Sequence, residues 1–205
     1  LAPDGAISRG ILPVHIDEAK VSDISVQVFD VEGQPSEKPV LQPDLLKDWS
    51  PAGQGEVLNQ NSLDDFVSLM NLNPDRYLSA IIRKGREPNS LALSYNLYEA
   101  DPWHWFIQVD NSGTEDRQWA PRVGLIHTDV LGVDDRFTTI YQAKPQKNIE
   151  DEFSVFGSYD IPLFSPYVRG KFFGAYSEYD TQGLGIFNFL GRGYYYGGRL
   201  RVHAL

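Results

Sequence analysis

The residue types that do chemistry are few in this chain and poorly spaced for it. Four histidines, at 15, 104, 127 and 203, stand in different segments, and none has a second ligand at the intervals a zinc site needs. There is no cysteine, which removes thiol nucleophiles, disulfide frameworks and zinc ribbons and leaves both reducing and oxidising compartments open. Carboxylates cluster in "DVLGVDD" and "DNSGTED" and are able to meet a calcium ion. They lack the alternating oxygens of an EF-hand loop, so turn formation and solvation are the plainer duties. Asp134 and Asp135 are adjacent in a turn and diverge instead of facing one substrate bond. "GLGIFNFLGRGYYYGG" is rich in glycine without the strand-to-helix switch of a phosphate loop. No nucleophile elbow or dinucleotide fingerprint occurs. The sequence asks for no enzyme, no metal and no cofactor.

What the chain has in surplus is aromatic area and negative charge. Its 205 residues include 11 Tyr, 11 Phe and 4 Trp, an aromatic share of 13% against only 41% hydrophobic residues in all. Large rings are present without a matching excess of leucine, isoleucine and valine. The formal net charge of −10 argues against nucleic acid as a partner, which would demand a basic face. No stretch of about 18 apolar residues exists, so no helix spans a membrane; a spanning β-strand needs only about 9–11 alternating residues and escapes that test.

Two textures divide the chain. "VSDISVQVF" alternates as a strand, with Val21, Ile24, Val26 and Val28 as its apolar members. "LQPDLLKDW" is a short helix with Pro43 in its first turn. "NSLDDFVSLMNLNP" is a longer helix, capped by Ser62, with Leu63, Phe66, Val67 and Met70 on one face and Asn73-Pro74 as its stop. "YLSAIIRKG" and "NSLALSYNLYEA" follow as two strands. From Trp103 onward no helical period appears. "WHWFIQVD", "QWAPRVGLIHTDV", "RFTTIYQA", "EFSVFGSYDI", "YVRGKFFGAYSEY" and "YYYGGRLRVHA" read as six strands. Their connections alternate between longer polar loops, "NSGTEDRQ" and "KPQKNIED", and tight turns, "LGVDD" and "PLFSP".

Period two sorts these strands into faces. Val168, Gly170, Phe172, Gly174 and Tyr176 oppose Arg169, Lys171, Phe173, Ala175 and Ser177; Tyr194, Tyr196, Leu200 and Val202 oppose Tyr195, Arg199, Arg201 and His203. Cations opposite an apolar face suit a barrel with a wet lumen. A soluble antiparallel sheet with one wet face has the same alternation, and a soluble β-sandwich gripping a ligand through Trp103, Trp105 and Trp119 stays open on these grounds.

The stretch from "NLNPDRYLSAIIRKG" through "EADPWHWFIQVDNSG" to "VLGVDDRFTTIYQ" resembles the junction between the last POTRA domain and the barrel in two-partner secretion transporters. These are the haemolysin activation and secretion proteins of the outer membrane. The matching positions are Asn73, Pro74, Arg83, Gly85, Pro88, Pro102, Asp110, Asn111, Gly113, Leu131, Gly132 and Asp134, with Tyr159, Pro162 and Leu163 resembling a further turn. The likeness runs from about Gly10 to Gly198. "YVRGKFFG" mimics the superfamily's V-R-G-aromatic loop at the wrong place in the order, so Arg169 is read as a lumen-facing strand residue without that loop's role.

The resemblance implies an α+β POTRA domain (β-α-α-β-β) over 20–101, preceded by the tail of another at 1–19. It implies an antiparallel meander of about six strands over 102–205, the N-terminal part of a transmembrane β-barrel that this length cannot close. On that reading His104, Gln108, Arg122, Arg169, Lys171, Arg199, Arg201 and His203 line the pore, while Trp103, Trp105, Trp119, Tyr194 and Tyr196 meet the membrane interface. The partners implied are an unfolded secreted polypeptide on the periplasmic side and outer-membrane lipid. The function implied is translocation across a Gram-negative outer membrane, with a barrel-assembly insertase as the alternative.

Overall fold

The computed structural model describes residues 18–110, 119–143, 153–182 and 188–203. The elements run β1 (Lys20–Phe29), α1 (Pro43–Asp48), α2 (Gln60–Met70), β2 (Arg76–Lys84), β3 (Ser90–Glu99), β4 (Trp103–Asp110), β5 (Ala120–Thr128), β6 (Arg136–Ala143), β7 (Phe153–Ser165), β8 (Val168–Gln182) and β9 (Asn188–Val202). They form a three-stranded sheet of order β1-β3-β2 and a six-stranded sheet of order β4-β5-β6-β7-β8-β9. The expected tail at 1–19 lies almost wholly outside the described residues, as do the loops "NSGTEDRQ" and "KPQKNIED".

In the first sheet β1 pairs with β3 in parallel and β2 with β3 antiparallel. A bulge between Val21 and Asp23 shifts the phase of β1 by one residue. That shift lets Val21 and Ile24, three apart, both turn toward the helices. Pro43 opens α1, where its missing N–H is harmless. The cap of α2 is Asn59, three residues earlier than the expected Ser62: its side-chain oxygen accepts from the N–H of Asn61 at 2.9 Å and of Ser62 at 3.4 Å. At the other end Asn71 bonds both the N–H and the carbonyl of Leu78, sewing the end of α2 to β2.

Leu41, Leu46, Leu63, Phe66 and Met70 close over Val21, Leu78, Leu93, Tyr95 and Leu97, all essentially without solvent contact. Tyr95 lies edge-on to Phe66 at 5.9 Å. Its hydroxyl bonds Ser50 at 2.9 Å, and burial pushes its pKa up to about 12. This is an ordinary two-layer core.

The second sheet is an antiparallel meander, and no second layer covers it among the described residues. Ala143 and Pro162 are its only buried apolar side chains there. β4 and β6 have the bounds that alternation predicts. β7 runs on through Pro162 to Ser165, so "PLFS" is strand and the turn is Pro166–Tyr167. Proline is tolerated because the β6 ladder has already ended at Asp160, and the β8 register breaks just after Pro162. β9 begins at Asn188, within a segment read as loop, and its pairing with β8 continues to Gln182.

Truncating the core ring of Phe66 tests the two-layer account. Phe66→Ala should destabilise the first sheet by about 3–5 kcal/mol, seen as faster amide exchange in β2 and β3, while β7 and β8 amides keep their rates.

Candidate functional site

Register decides which side chains share a face, because directly opposed residues in an antiparallel pair point the same way. Trp103 pairs with His127, Trp105 with Leu125 and Ile107 with Val123 on β4–β5; Gly170 pairs with Leu200 and Tyr176 with Tyr194 on β8–β9. Carried across all six strands, these lie on one continuous face. Its apolar members are open: Ile107 is 69% exposed, Trp105 72% and Tyr196 81%. Trp105 is therefore not packed in a closed protein core. Trp103 stands at the end where β5 finishes. Trp119, also exposed, stands at the opposite end, where Asp110 meets Ala120, and Tyr194 and Tyr196 stack at 6.4 Å on the same side of the sheet.

The reverse face carries His104, Gln108, Arg122, Arg169, Lys171, Arg199, Arg201 and His203. Gln108 opposes Arg122, Lys171 opposes Arg199 and Arg169 opposes Arg201. Phe106 lies flat over Gly124, where an added Cβ would come within 2.2 Å of the ring. Glycine at 124 is what admits that ring against the backbone.

The two sheets meet at the turn between β5 and β6. Asp129, Gly132 and Asp134 there have positive φ. Gly132 also approaches Val40 so closely that a Cβ would sit 2.9 Å from its carbonyl oxygen, so both conformation and space require glycine. Gln42 donates its N–H to the Gly132 carbonyl at 3.0 Å and its side-chain amide to that of Leu131 at 3.1 Å. Asp135, 1% exposed, accepts from the N–H of Val130 and Leu131 and from the Tyr159 hydroxyl at 2.7 Å. Glu99 receives the N–H groups of Val40 and Leu41, each at 2.8 Å, and holds the segment on which the turn rests.

Arg76, at the start of β2, is the centre of this junction. Its side chain is 3% exposed. Nε donates to the Met70 carbonyl at 3.0 Å, Nη2 donates to Asp134, and Nη1 faces Asp129 at 3.6 Å. Asp134 is shared: Arg169 Nη1 reaches its other oxygen at 2.5 Å, while Arg169 Nε holds Asp160 at 2.6 Å. Arg169, read from the sequence as a lumen-facing strand residue, thus has two carboxylate partners. His104 is likewise engaged, with Nε2 at 2.8 Å from Asp75, which also accepts from the Thr128 hydroxyl. Burial outweighs the attraction of Arg76 at Asp129 and pushes its pKa up to about 7.

Beside the junction lies a cleft of about 400 Å³, walled by Leu69, Leu72 and Pro74 from the end of α2 and by Arg136, Lys171 and Arg201 from the second sheet. Arg169 and His203 also reach it, whereas His104, Gln108, Arg122 and Arg199 do not line it. Sequence reasoning missed Arg76, Asp129 and Asp160 as members of the junction; for Asp134 the Leu131-Gly132-x-Asp134 spacing was the available signal.

No protein-family model and no curated protein matches the sequence. Solved structures do. CdiB from Escherichia coli aligns over 98% of this chain at 16% identity with a TM-score of 0.71, and 36% of its own length is covered. CdiB from Acinetobacter baumannii aligns over 90% at 16% identity (TM-score 0.61, 33% of its length). BamA from Haemophilus ducreyi lacking POTRA domains 1–3 aligns over 89% at 15% identity (TM-score 0.61, 32% of its length). The fold is that of a POTRA domain joined to β-barrel strands. The chain spans about a third of the length of these structures. Arg76 then belongs to the POTRA side of the junction, Arg169 to the barrel side, and Asp134 links them.

The raised pKa of Asp129 gives a pH signature with a definite sign. Its neutral form is favoured in the folded state, so its contribution is complete below the unfolded carboxylate range near pH ~4 and is lost as pH rises through about 7. Protection of the Val130 and Leu131 amides should therefore fall between those values, and Asp129→Asn should flatten the profile. Arg76→Ala, which strands buried carboxylates, should cost about 3–5 kcal/mol in thermal or urea unfolding.

Proposed function

We propose that the chain is the POTRA-to-barrel portion of an outer-membrane translocator, with the POTRA sheet on the periplasmic side. The observation that carries this reading is the six-stranded sheet with a continuous exposed apolar face and almost no buried core. In water such a face has no solvent that suits it, whereas in hydrocarbon it needs no protein partner. Tyr194 and Tyr196 lie mid-strand on β9, in the cross-strand rows of Ile107 and Trp105, while Trp103 at one end of the face and Trp119 at the other fit the two headgroup levels. Ile107 and Val123, opposed between them, fit the hydrocarbon.

The client is an unfolded polypeptide. Among the described residues β2 is an unpaired edge of the POTRA sheet. An extended chain adds to such an edge by main-chain hydrogen bonds, so capture depends little on side-chain identity. The reverse face of the barrel strands, with Gln108, Lys171, Arg199, Arg201 and His203 among rings such as Phe106 and Phe173, forms part of a wet, largely polar conduit for a passing chain. Insertion of other barrels is the second reading, supported by the likeness to BamA.

Ile107→Arg puts a cation on the apolar face and should cost about 2–4 kcal/mol if that face meets the bilayer midplane. The loss is read as reduced heat-modifiable mobility of the full-length protein extracted from outer membranes. Gln108→Arg, one residue on but facing the other way, should leave mobility unchanged. A full-length protein that stays monodisperse without detergent sinks the proposal.

A further inference from the structure

The cleft between the end of α2 and the bases of β8 and β9 carries charge that the fold does not use. Three carboxylates reach it, and each is already engaged. Asp134 is held by Arg76 and Arg169. Asp135 is held by two N–H groups and the Tyr159 hydroxyl. Asp160 is held by Arg169, with Arg201 at 4.0 Å. Once these pairs are set aside, the remaining wall is cationic: among the described residues Lys171 and Arg136 form no ion pair, and Arg201 keeps only that long contact. Arg199, also without an ion pair among the described residues, stands directly across the ladder from Lys171 on the same face. Asp160, which faces Lys171 across the other ladder, is held by Arg169 instead, and like charges directly opposed destabilise a sheet. They are retained here in a chain of net charge −10, where acidic partners are plentiful.

The facing wall is apolar. Leu69 and Leu72 project from the last turn of α2 and its exit, and Leu72 is 67% exposed. The volume of about 400 Å³ admits a few side chains and excludes a folded domain.

The geometry points to a carboxylate-binding cleft for an extended polypeptide segment in which acidic and aliphatic side chains alternate. An extended chain presents successive side chains to opposite sides, so one set meets Lys171 and Arg201 while the other meets Leu69 and Leu72. Charge complementarity sets the acidic half of that pattern, and the leucine wall sets the aliphatic half, which a free anion cannot satisfy. The inference rests on the translocation reading and names what the passing chain presents as it leaves the POTRA domain.

The test uses the full-length protein in detergent micelles and three short fluorescent peptides with Leu-Glu, Leu-Gln and Ser-Glu repeats. The Leu-Glu peptide should bind about tenfold tighter than either other peptide at low salt, and its advantage over Leu-Gln should shrink at high salt. Lys171→Glu with Arg201→Glu should abolish the preference for Leu-Glu over Leu-Gln, and the milder Lys171→Gln should reduce it. Leu72→Ser should weaken the Leu-Glu and Leu-Gln peptides alike. Equal binding of Leu-Glu and Leu-Gln overturns the inference. So does full displacement of the Leu-Glu peptide by inorganic phosphate, which marks a general anion site, or unchanged Leu-Glu binding by a Lys171→Glu, Arg201→Glu variant of normal heat-modifiable mobility. Any of these with Ile107→Arg still disrupting mobility removes the cleft and leaves the membrane reading standing.

Discussion

A guanidinium keeps its proton at any pH a protein survives, so a buried one must be surrounded by acceptors. Arg76 imposes that demand at the place where the two sheets meet. Its partners come from both sides: the end of α2 through the Met70 carbonyl, and the β5–β6 turn through a hydrogen bond to Asp134 and an ion-pair contact with Asp129. The turn's three residues with positive φ shape it to that task, and Gln42 and Glu99 fix the segment beneath it. Asp134 passes the link to Arg169, and Arg169 to Asp160 on β7. The result is a chain of alternating charges from the POTRA core to the barrel wall. Such chains add little net stability, since desolvation offsets most of the attraction. Their value is orientation: a rotated POTRA domain would leave several charges buried and unanswered.

The two sheets answer to different surroundings. In the POTRA sheet, apolar side chains turn inward under two helices, and Phe66, Tyr95 and Leu97 lose essentially all contact with solvent. In the barrel strands the apolar side turns outward, and the reverse side carries the polar groups. The same period-two pattern thus serves opposite ends, and only the presence or absence of a covering layer tells them apart.

That ambiguity marks the boundary of what was legible in the sequence. Strands with clean alternation, "WHWFIQVD" and "RFTTIYQA", read to the residue because each position has one face it suits. The cap of α2 did not, since Asn59 and Ser62 are both competent caps and tertiary packing chose between them. "PLFSP" misled because proline signals a turn unless the neighbouring ladder has already ended, which is a fact about another strand. The junction was hidden for a similar reason. Arg76 and Asp134 are 58 residues apart, and Arg169 lies 35 beyond Asp134. Nothing local to "NPDRY" marks its arginine as buried. The face assignments of Lys171, Arg199 and Arg201 were legible from parity, whereas the neutralisation of Arg169 was not.

The unequal strands have a topographic consequence. β4 has 8 residues and β6 has 8, whereas β8 and β9 have 15 each. At about 3.3 Å per residue and a tilt near 40°, the short strands rise roughly 20 Å and the long pair nearly 40 Å. The apolar band of an outer membrane is about 25 Å tall. On the proposed membrane reading, with the ends beside the POTRA domain level, the described part of the β8–β9 pair reaches on the order of 10 Å beyond that band, while β4 and β6 end near its edge. Among the described residues, then, the strand ends away from the POTRA domain are uneven, with the β8–β9 pair the longest.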